Sequence, residues 1–154
     1  MRAAVLHEAP GDLVIEDLDI ASPIGHEVLI ETKASGLCHS DLHVIEGLLP
    51  LPSLPAALGH EASGIVEAVG PDVTAFSPGD HVITCLSAFC GHCEFCDGGR
   101  PNLCQIGSGT RDNKNNPALK RGDEAVTAMT NVGGFAEMVV TPASGFVKIP
   151  DDVP

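Results

Sequence analysis

Four cysteines between residues 90 and 104 form the densest group of metal-binding side chains in the sequence. Cys90, Cys93, Cys96 and Cys104 follow the spacing C-x2-C-x2-C-x7-C, with glycines between them that allow sharp turns. Thiolates two residues apart can reach one ion from a tight turn, and four sulfurs in a tetrahedron suit Zn²⁺. Four protein ligands leave no coordination position for a substrate. We therefore predict a structural zinc site here and expect the chemistry to lie elsewhere.

Two other uses of these cysteines stay open at this point. A four-iron cluster would favour a last spacing of three residues, with a proline after the final cysteine. Here seven residues separate Cys96 from Cys104, and Gln105 follows. A disulfide pair would need an oxidising compartment. The opening residues, MRAAVLHEAPGDLVIEDL, do not resemble a signal peptide, so we expect a cytoplasmic, reducing setting. That setting favours zinc.

Two further segments carry the residue types of an open metal site. They are GLCHSDLH (36–43) and GHEASGIVEAVGPDV (59–73). Cys38 and His60 would supply a sulfur and a nitrogen, and Glu61 stands beside His60. Taken singly, a cysteine is more often a small buried hydrophobe, and a histidine in a turn is more often a surface group. Their interpretation depends on the rest of the sequence.

Short strands and turns must position these side chains. The 17 glycines, the 12 prolines and the absence of Trp and Tyr suit many short strands better than a helical bundle. We predict strands at residues 2–7, 13–18, 27–36, 62–70, 80–86, 135–140 and 145–150. One helix is predicted at 39–47, and the polar segment 107–131 is predicted to be mostly without regular structure. The fold class is therefore mainly β, a partly open β-barrel with few short helices and a zinc-binding lobe.

The charge of the chain restricts its partners. Lys and Arg number 8 against 21 Asp and Glu, which gives a formal net charge of −13. An acidic surface repels phosphate backbones and anionic lipids, so nucleic acid and membranes are poor candidate partners. The sequence also contains no apolar run of the length needed to span a membrane.

Taken together, the two segments and the cysteine lobe resemble the zinc-dependent medium-chain alcohol dehydrogenases. Residues 59–73 fit the family signature G-H-E-x2-G-x5-G-x2-V, GLCHSD is similar to its first metal-ligand segment, and the cysteine lobe has its structural-zinc spacing. The three motifs occur in the family's order, and the resemblance covers essentially the whole chain. It implies that residues 1–154 form the N-terminal, GroES-like catalytic domain.

The resemblance also implies roles for individual residues. Cys38 and His60 would bind the catalytic zinc, and Glu61 is the acid beside the metal, which either binds it transiently or faces solvent. Ser40 occupies the position of the hydroxyl that hydrogen-bonds the substrate oxygen. His43 would pass the proton to solvent through the cofactor ribose, a step that suits an imidazole.

Two more positions follow from the same resemblance. Asp41 would orient the His60 imidazole, although a surface acid at a helix start is the alternative. His39 stands where the family often contacts the cofactor pyrophosphate. A place in the substrate pocket and a place in the core both stay open for three leucines: Leu48, Leu49 and Leu86.

The implied reaction oxidises a primary or secondary alcohol to an aldehyde or ketone by hydride transfer to NAD or NADP. A third zinc ligand and the glycine-rich turn of a Rossmann domain are expected beyond residue 154. The GSGTRD stretch (107–112) lacks the third glycine of that turn and is predicted to be a loop. We therefore expect the 154 residues to be a catalytic-domain portion that is inactive alone.

The alternative is a non-catalytic zinc-binding β-barrel that serves as a scaffold or interaction module. Such a module would not need Cys38, Ser40, His43 and His60 together. The expected partner is a small-molecule alcohol or aldehyde. A homo-oligomer stays open, with the cysteine lobe and segment 107–131 as candidate interface elements.

Overall fold

The computed structural model describes residues 1–104, 111 and 115–153 of the chain. The strands of this part are β1 (Arg2–Leu6), β2 (Leu13–Asp17), β3 (Asp19–Ile20), β4 (Glu27–Ser35), β5 (Ala56–Ala57), β6 (Ala62–Val69), β7 (His81–Thr84), β8 (Leu119–Arg121), β9 (Glu124–Ala128), β10 (Met138–Pro142) and β11 (Phe146–Lys148). The helices are α1 (His39–Ile45) and α2 (Glu94–Asp97), with 3₁₀ turns at Pro101–Leu103, Met129–Asn131 and Ala143–Gly145. Neither α-helix is long and apolar enough to cross a bilayer.

The strands form two sheets. One has six strands in the order β2-β1-β5-β9-β8-β3, and the other has five in the order β10-β4-β6-β7-β11. Among the strand pairs of the described residues, only β5 and β9 run parallel. Short strands in largely antiparallel sheets, accompanied by two short helices, confirm the predicted mainly β fold class.

The apolar side chains form three clusters, and one of them holds helix α1 in place. In that cluster the fully buried side chains of Leu6 and Leu58 pack with Val44, which lies on α1 and is 1% exposed. Burying a valine completely is worth about 1.5–3 kcal/mol. This contact fixes the inner face of α1 against the sheet and leaves its outer face in solvent.

The glycines of the segment 59–73 allow close backbone approaches. A Cβ on Gly64 would lie 2.2 Å from the carbonyl oxygen of Glu31, and one on Gly70 would lie 2.3 Å from that of Gly25. Gly59 has a φ of +86°, and a Cβ there would lie 2.7 Å from the backbone nitrogen of Phe135. Each of these positions excludes a side chain, so the signature glycines are explained by packing.

The prediction for the segment 107–131 is wrong over its second half. Strands β8 and β9 form a hairpin there, in which Leu119 pairs with Val126 and both side chains are buried. The sequence gives only a weak signal for this hairpin, because each strand is short and only one face of the hairpin is apolar. The predicted GSGTRD loop falls, apart from Arg111, outside the described residues. The sequence also does not predict β3 and β5, because a strand of two residues is too short to show an alternation of apolar and polar side chains.

Candidate metal centres

The four cysteines of the lobe converge because the backbone turns tightly between them. Gly91 and Gly99 have φ angles of +80° and +72°, a region that side chains rarely adopt. Cys93 precedes the single turn of α2, and Cys96 lies within it. The 3₁₀ turn Pro101–Leu103 then brings Cys104 back to the other three.

The sulfur positions fit one tetrahedral zinc ion. The Sγ of Cys96 lies 3.5 Å from that of Cys93 and 3.9 Å from that of Cys90, while the Sγ atoms of Cys93 and Cys104 are 3.9 Å apart. With Zn–S bonds of about 2.3 Å, the sulfurs of a tetrahedral site are about 3.8 Å apart. A disulfide would need S–S contacts of about 2.05 Å. A four-iron cluster, in which each thiolate binds its own iron, would hold the sulfurs farther apart.

The acid–base state of the lobe links metal binding to pH. Desolvation raises the pKa of the Cys96 thiol to about 11, and hydrogen bonds with the neighbouring thiols add to this effect. A thiol with such a pKa keeps its proton at neutral pH. Zinc must therefore displace protons from the lobe when it binds, and its affinity falls as the pH falls.

Helix α2 and the 3₁₀ turn after it contain no buried residue. The lobe thus lacks an apolar core of its own within the described residues 90–104. Because these elements bury no side chain, a metal bound by the four sulfurs is the group that would stabilise this part of the fold.

A second group of donors lies at the start of helix α1. The sulfur of Cys38 and side-chain donor atoms of His60 and Glu61 all lie within 4.8 Å of one another. His60 is buried, and the exposed Glu61 carboxylate lies 3.9 Å from its Nε2. Sulfur, nitrogen and oxygen from three side chains suit a zinc site that keeps one coordination position open.

Asp41 joins the two segments that carry these donors. Its buried carboxylate accepts hydrogen bonds from the backbone N–H of Cys38 at 3.0 Å and of Gly59 at 3.1 Å. The same carboxylate lies 3.7 Å from Nδ1 of His60. That distance is beyond a hydrogen bond, and the buried Nδ1 has no hydrogen-bond partner among the described residues. Asp41 is therefore not a surface acid, and it faces the imidazole that it was expected to orient.

The other predicted residues border this group or lie on the outer face of α1. The hydroxyl of Ser40 is 3.4 Å from the sulfur of Cys38. His39 and His43 are exposed, and their rings contact each other edge to face with centroids 4.6 Å apart. The three leucines considered above do not lie in the core, because their exposed fractions are 42–70%: Leu48, Leu49 and Leu86.

Two residues that position the group were missed from the sequence. A Cβ on Gly36 would lie 2.4 Å from Oε2 of Glu61, so only glycine admits the carboxylate in this position. The hydroxyl of Thr84 donates to the carbonyl oxygen of His60 at 3.2 Å and accepts from the N–H of Ala62 at 2.8 Å. The spacing of Gly36 from Cys38 gave a weak signal, whereas the long-range contact of Thr84 gave none.

Comparisons with known proteins agree with this arrangement. Residues 25–151 match the family described as alcohol dehydrogenase GroES-like domain. The chain is 41% identical over 156 residues to the NDMA-dependent alcohol dehydrogenase of Amycolatopsis methanolica, a match that covers 99% of the chain and 42% of that protein. It is 39% identical over 158 residues to the alcohol dehydrogenase class-3 of Drosophila melanogaster, covering 99% of the chain and 41% of that protein.

Solved structures show the same similarity. An alcohol dehydrogenase zinc-binding domain protein from Burkholderia ambifaria superposes with a TM-score of 0.88 at 37% identity, over 99% of the chain and 42% of that structure. The benzyl alcohol dehydrogenase of Acinetobacter calcoaceticus gives a TM-score of 0.86 at 38% identity, with the same coverage. The chain thus spans about two fifths of the length of the relatives it matches.

Proposed function

The chain belongs to the zinc-type medium-chain alcohol dehydrogenase family, whose GroES-like domain it contains, and we propose that its residues hold the catalytic metal of an alcohol oxidation dependent on NAD or NADP. The observation that carries the proposal is the convergence of donor atoms from Cys38, His60 and Glu61 within 4.8 Å. Zinc held at this position would supply Lewis-acid chemistry at the substrate oxygen, and a bound nicotinamide would be the hydride acceptor.

The chain's own residues have separate tasks in this proposal. Cys38 and His60 bind the cation, and the buried Asp41 carboxylate keeps their two segments together through its two backbone hydrogen bonds. The Ser40 hydroxyl, beside the Cys38 sulfur, hydrogen-bonds the substrate oxygen. The exposed imidazole of His43 exchanges the released proton with solvent, since imidazole is suited to proton transfer near neutral pH.

The cofactor and the structural metal complete the proposed assignment. His39, exposed at the first position of α1, would contact the cofactor pyrophosphate. The four-cysteine lobe binds a second zinc that has a structural role. Structural zinc sites contribute on the order of 10 kcal/mol in zinc-binding peptides. That is enough to fold a lobe without a core of its own.

The substrate is proposed to be a primary or secondary alcohol, with the activity located in the cytoplasm. We expect a polypeptide limited to residues 1–154 to be inactive, because the sequence contains no G-x-G-x-x-G turn to bind a dinucleotide. This proposal treats residues 1–154 as one GroES-like catalytic domain. A scaffold that binds only structural zinc would not require the second donor group beside α1.

Cobalt spectroscopy tests the open site. Co²⁺ replaces zinc and absorbs in the visible when thiolates bind it, and a site with an open position changes its spectrum when a new ligand enters. We expect added imidazole to change the spectrum of the wild type and of Cys85→Ser, which alters an exposed cysteine outside both donor groups. Cys38→Ser should show no such change. If added imidazole does not change the wild-type spectrum, the proposed open coordination position is contradicted.

A further inference from the structure

The outer face of helix α1 carries two histidines in contact. His39 and His43 are four residues apart, so the helix places them one above the other. Their ring centroids are 4.6 Å apart with an interplanar angle of 75°, and both side chains are exposed. Neither belongs to the donor groups formed by the cysteines or by Cys38, His60 and Glu61.

The ring separation suits a shared metal ion. An imidazole nitrogen binds a borderline divalent cation at about 2.1 Å, which puts the ring centre about 3.2 Å from the ion. Two rings bound at a right angle at the ion therefore have centres about 4.5 Å apart. The observed 4.6 Å is close to this value. The rings meet edge to face, and the last torsion of an exposed histidine is broad and soft, so each ring can turn to aim a nitrogen at a shared ion.

The helix itself is held in place, so the separation of the two histidines is maintained. Val44 and Asp41, on the inner side of α1, are 1% and 3% exposed. Glu46 follows three residues after His43, on the same stripe of the helix, and its backbone keeps helical angles of −78° and −4°. Glu46 is exposed, and the chain carries a net charge of −13, which favours the approach of cations.

We propose that His39 and His43 form a third metal site of the chain, a two-imidazole chelate for nitrogen-preferring cations such as Ni²⁺, Cu²⁺ or Zn²⁺. Mg²⁺ and Ca²⁺ are excluded, because they prefer oxygen ligands. The site stands on ring geometry and does not rest on the proposed function. Where that function holds, a cation here occupies the imidazoles assigned to proton exchange and cofactor contact, so excess metal inhibits the enzyme.

The test uses Ni²⁺ on the zinc-loaded chain and follows the imidazole resonances of its seven histidines by NMR. Paramagnetic Ni²⁺ should broaden His39 and His43 together at the first additions, whereas Mg²⁺ should leave both unchanged. Broadening of His60 without these two would overturn the proposal. This measurement needs no variant and does not depend on whether a substitution disturbs folding.

Calorimetric titration with Ni²⁺ gives the affinity. We expect His39→Asn and His43→Asn each to weaken this binding about tenfold or more, because a second donor on the same helix acts at high effective concentration. His26→Asn, which changes an exposed histidine elsewhere, should bind as the wild type does. Equal affinities for all four proteins would overturn the chelate, as would a loss seen with only one of the two helix variants.

Discussion

Replacing Gly36 by alanine should disable one metal donor while leaving the fold intact. The new Cβ would meet Oε2 of Glu61 at 2.4 Å and its Cβ at 3.2 Å, so the carboxylate has to move. The Glu61 side chain is 54% exposed and can rotate into solvent at little cost, and the remaining Cβ contact is relieved by a small shift of the backbone. We therefore expect the free energy of unfolding to change by less than about 1 kcal/mol.

The metal affinity of the site should respond much more strongly. The displaced carboxylate no longer lies near Cys38 and His60, so the group falls from three donors to two. We expect Co²⁺ binding at this site to weaken about tenfold, equivalent to about 1.4 kcal/mol. Gly36→Ala and Glu61→Gln should have the same effect, and the double variant should be no worse than either single one.

The assay is a Co²⁺ titration followed by absorption, on protein whose four-cysteine site already holds zinc. Gly134→Ala is the matched control, because its Cβ would contact Ala62 and Ser35 at 3.3 Å, whereas no atom of Glu61 would lie closer than 3.6 Å. Full additivity of the Gly36 and Glu61 changes would refute the reasoning, since each would then act through a different group. An unchanged Co²⁺ affinity in Gly36→Ala would refute it as well.

Three other outcomes are expected. Cys93→Ser should remove hydrogen-exchange protection from residues 90–104 while the sheets stay protected, and equal loss of protection in both would contradict a separate metal-held lobe. Arg111→Met leaves the Glu27 carboxylate buried without the cation that it contacts, and chemical denaturation should show a loss of about 3–5 kcal/mol. Thr130→Gly relieves a β-branched residue at a φ of +53° and should stabilise the protein by about 1 kcal/mol in thermal unfolding, and a lower melting temperature would contradict that strain.

The parts of the structure that were predictable are those set by local spacing. The cysteine pattern specifies its own site, because three of the ligands lie within seven residues and glycines permit the turns between them. The alternation predicts strand β4, and the structure buries Val28 and Ile30 while Leu29 and Glu31 are only partly buried. Most predicted strand limits agree with the structure within a few residues.

The remaining features depend on contacts between distant segments. Asp41 lies near Gly59 only when β6 is paired with β4, and Thr84 reaches His60 from the neighbouring strand β7. The need for glycine at Gly36 arises from a side chain 25 positions later. Such contacts leave no periodic trace in one sequence, which is why the ligands were predicted and the residues supporting them were not.

Zinc content per chain tests the central claim that the four-cysteine lobe and the group of Cys38, His60 and Glu61 each bind one zinc ion. Elemental mass spectrometry gives the metal, and amino-acid analysis gives the protein, because the sequence has neither Trp nor Tyr. After dialysis, we expect about two zinc ions per chain in the wild type and in Cys85→Ser, and about one in Cys38→Ser. If the wild type contains no zinc, the proposed structural zinc site is contradicted. If Cys38→Ser contains as much zinc as the wild type, the proposed catalytic zinc site is contradicted.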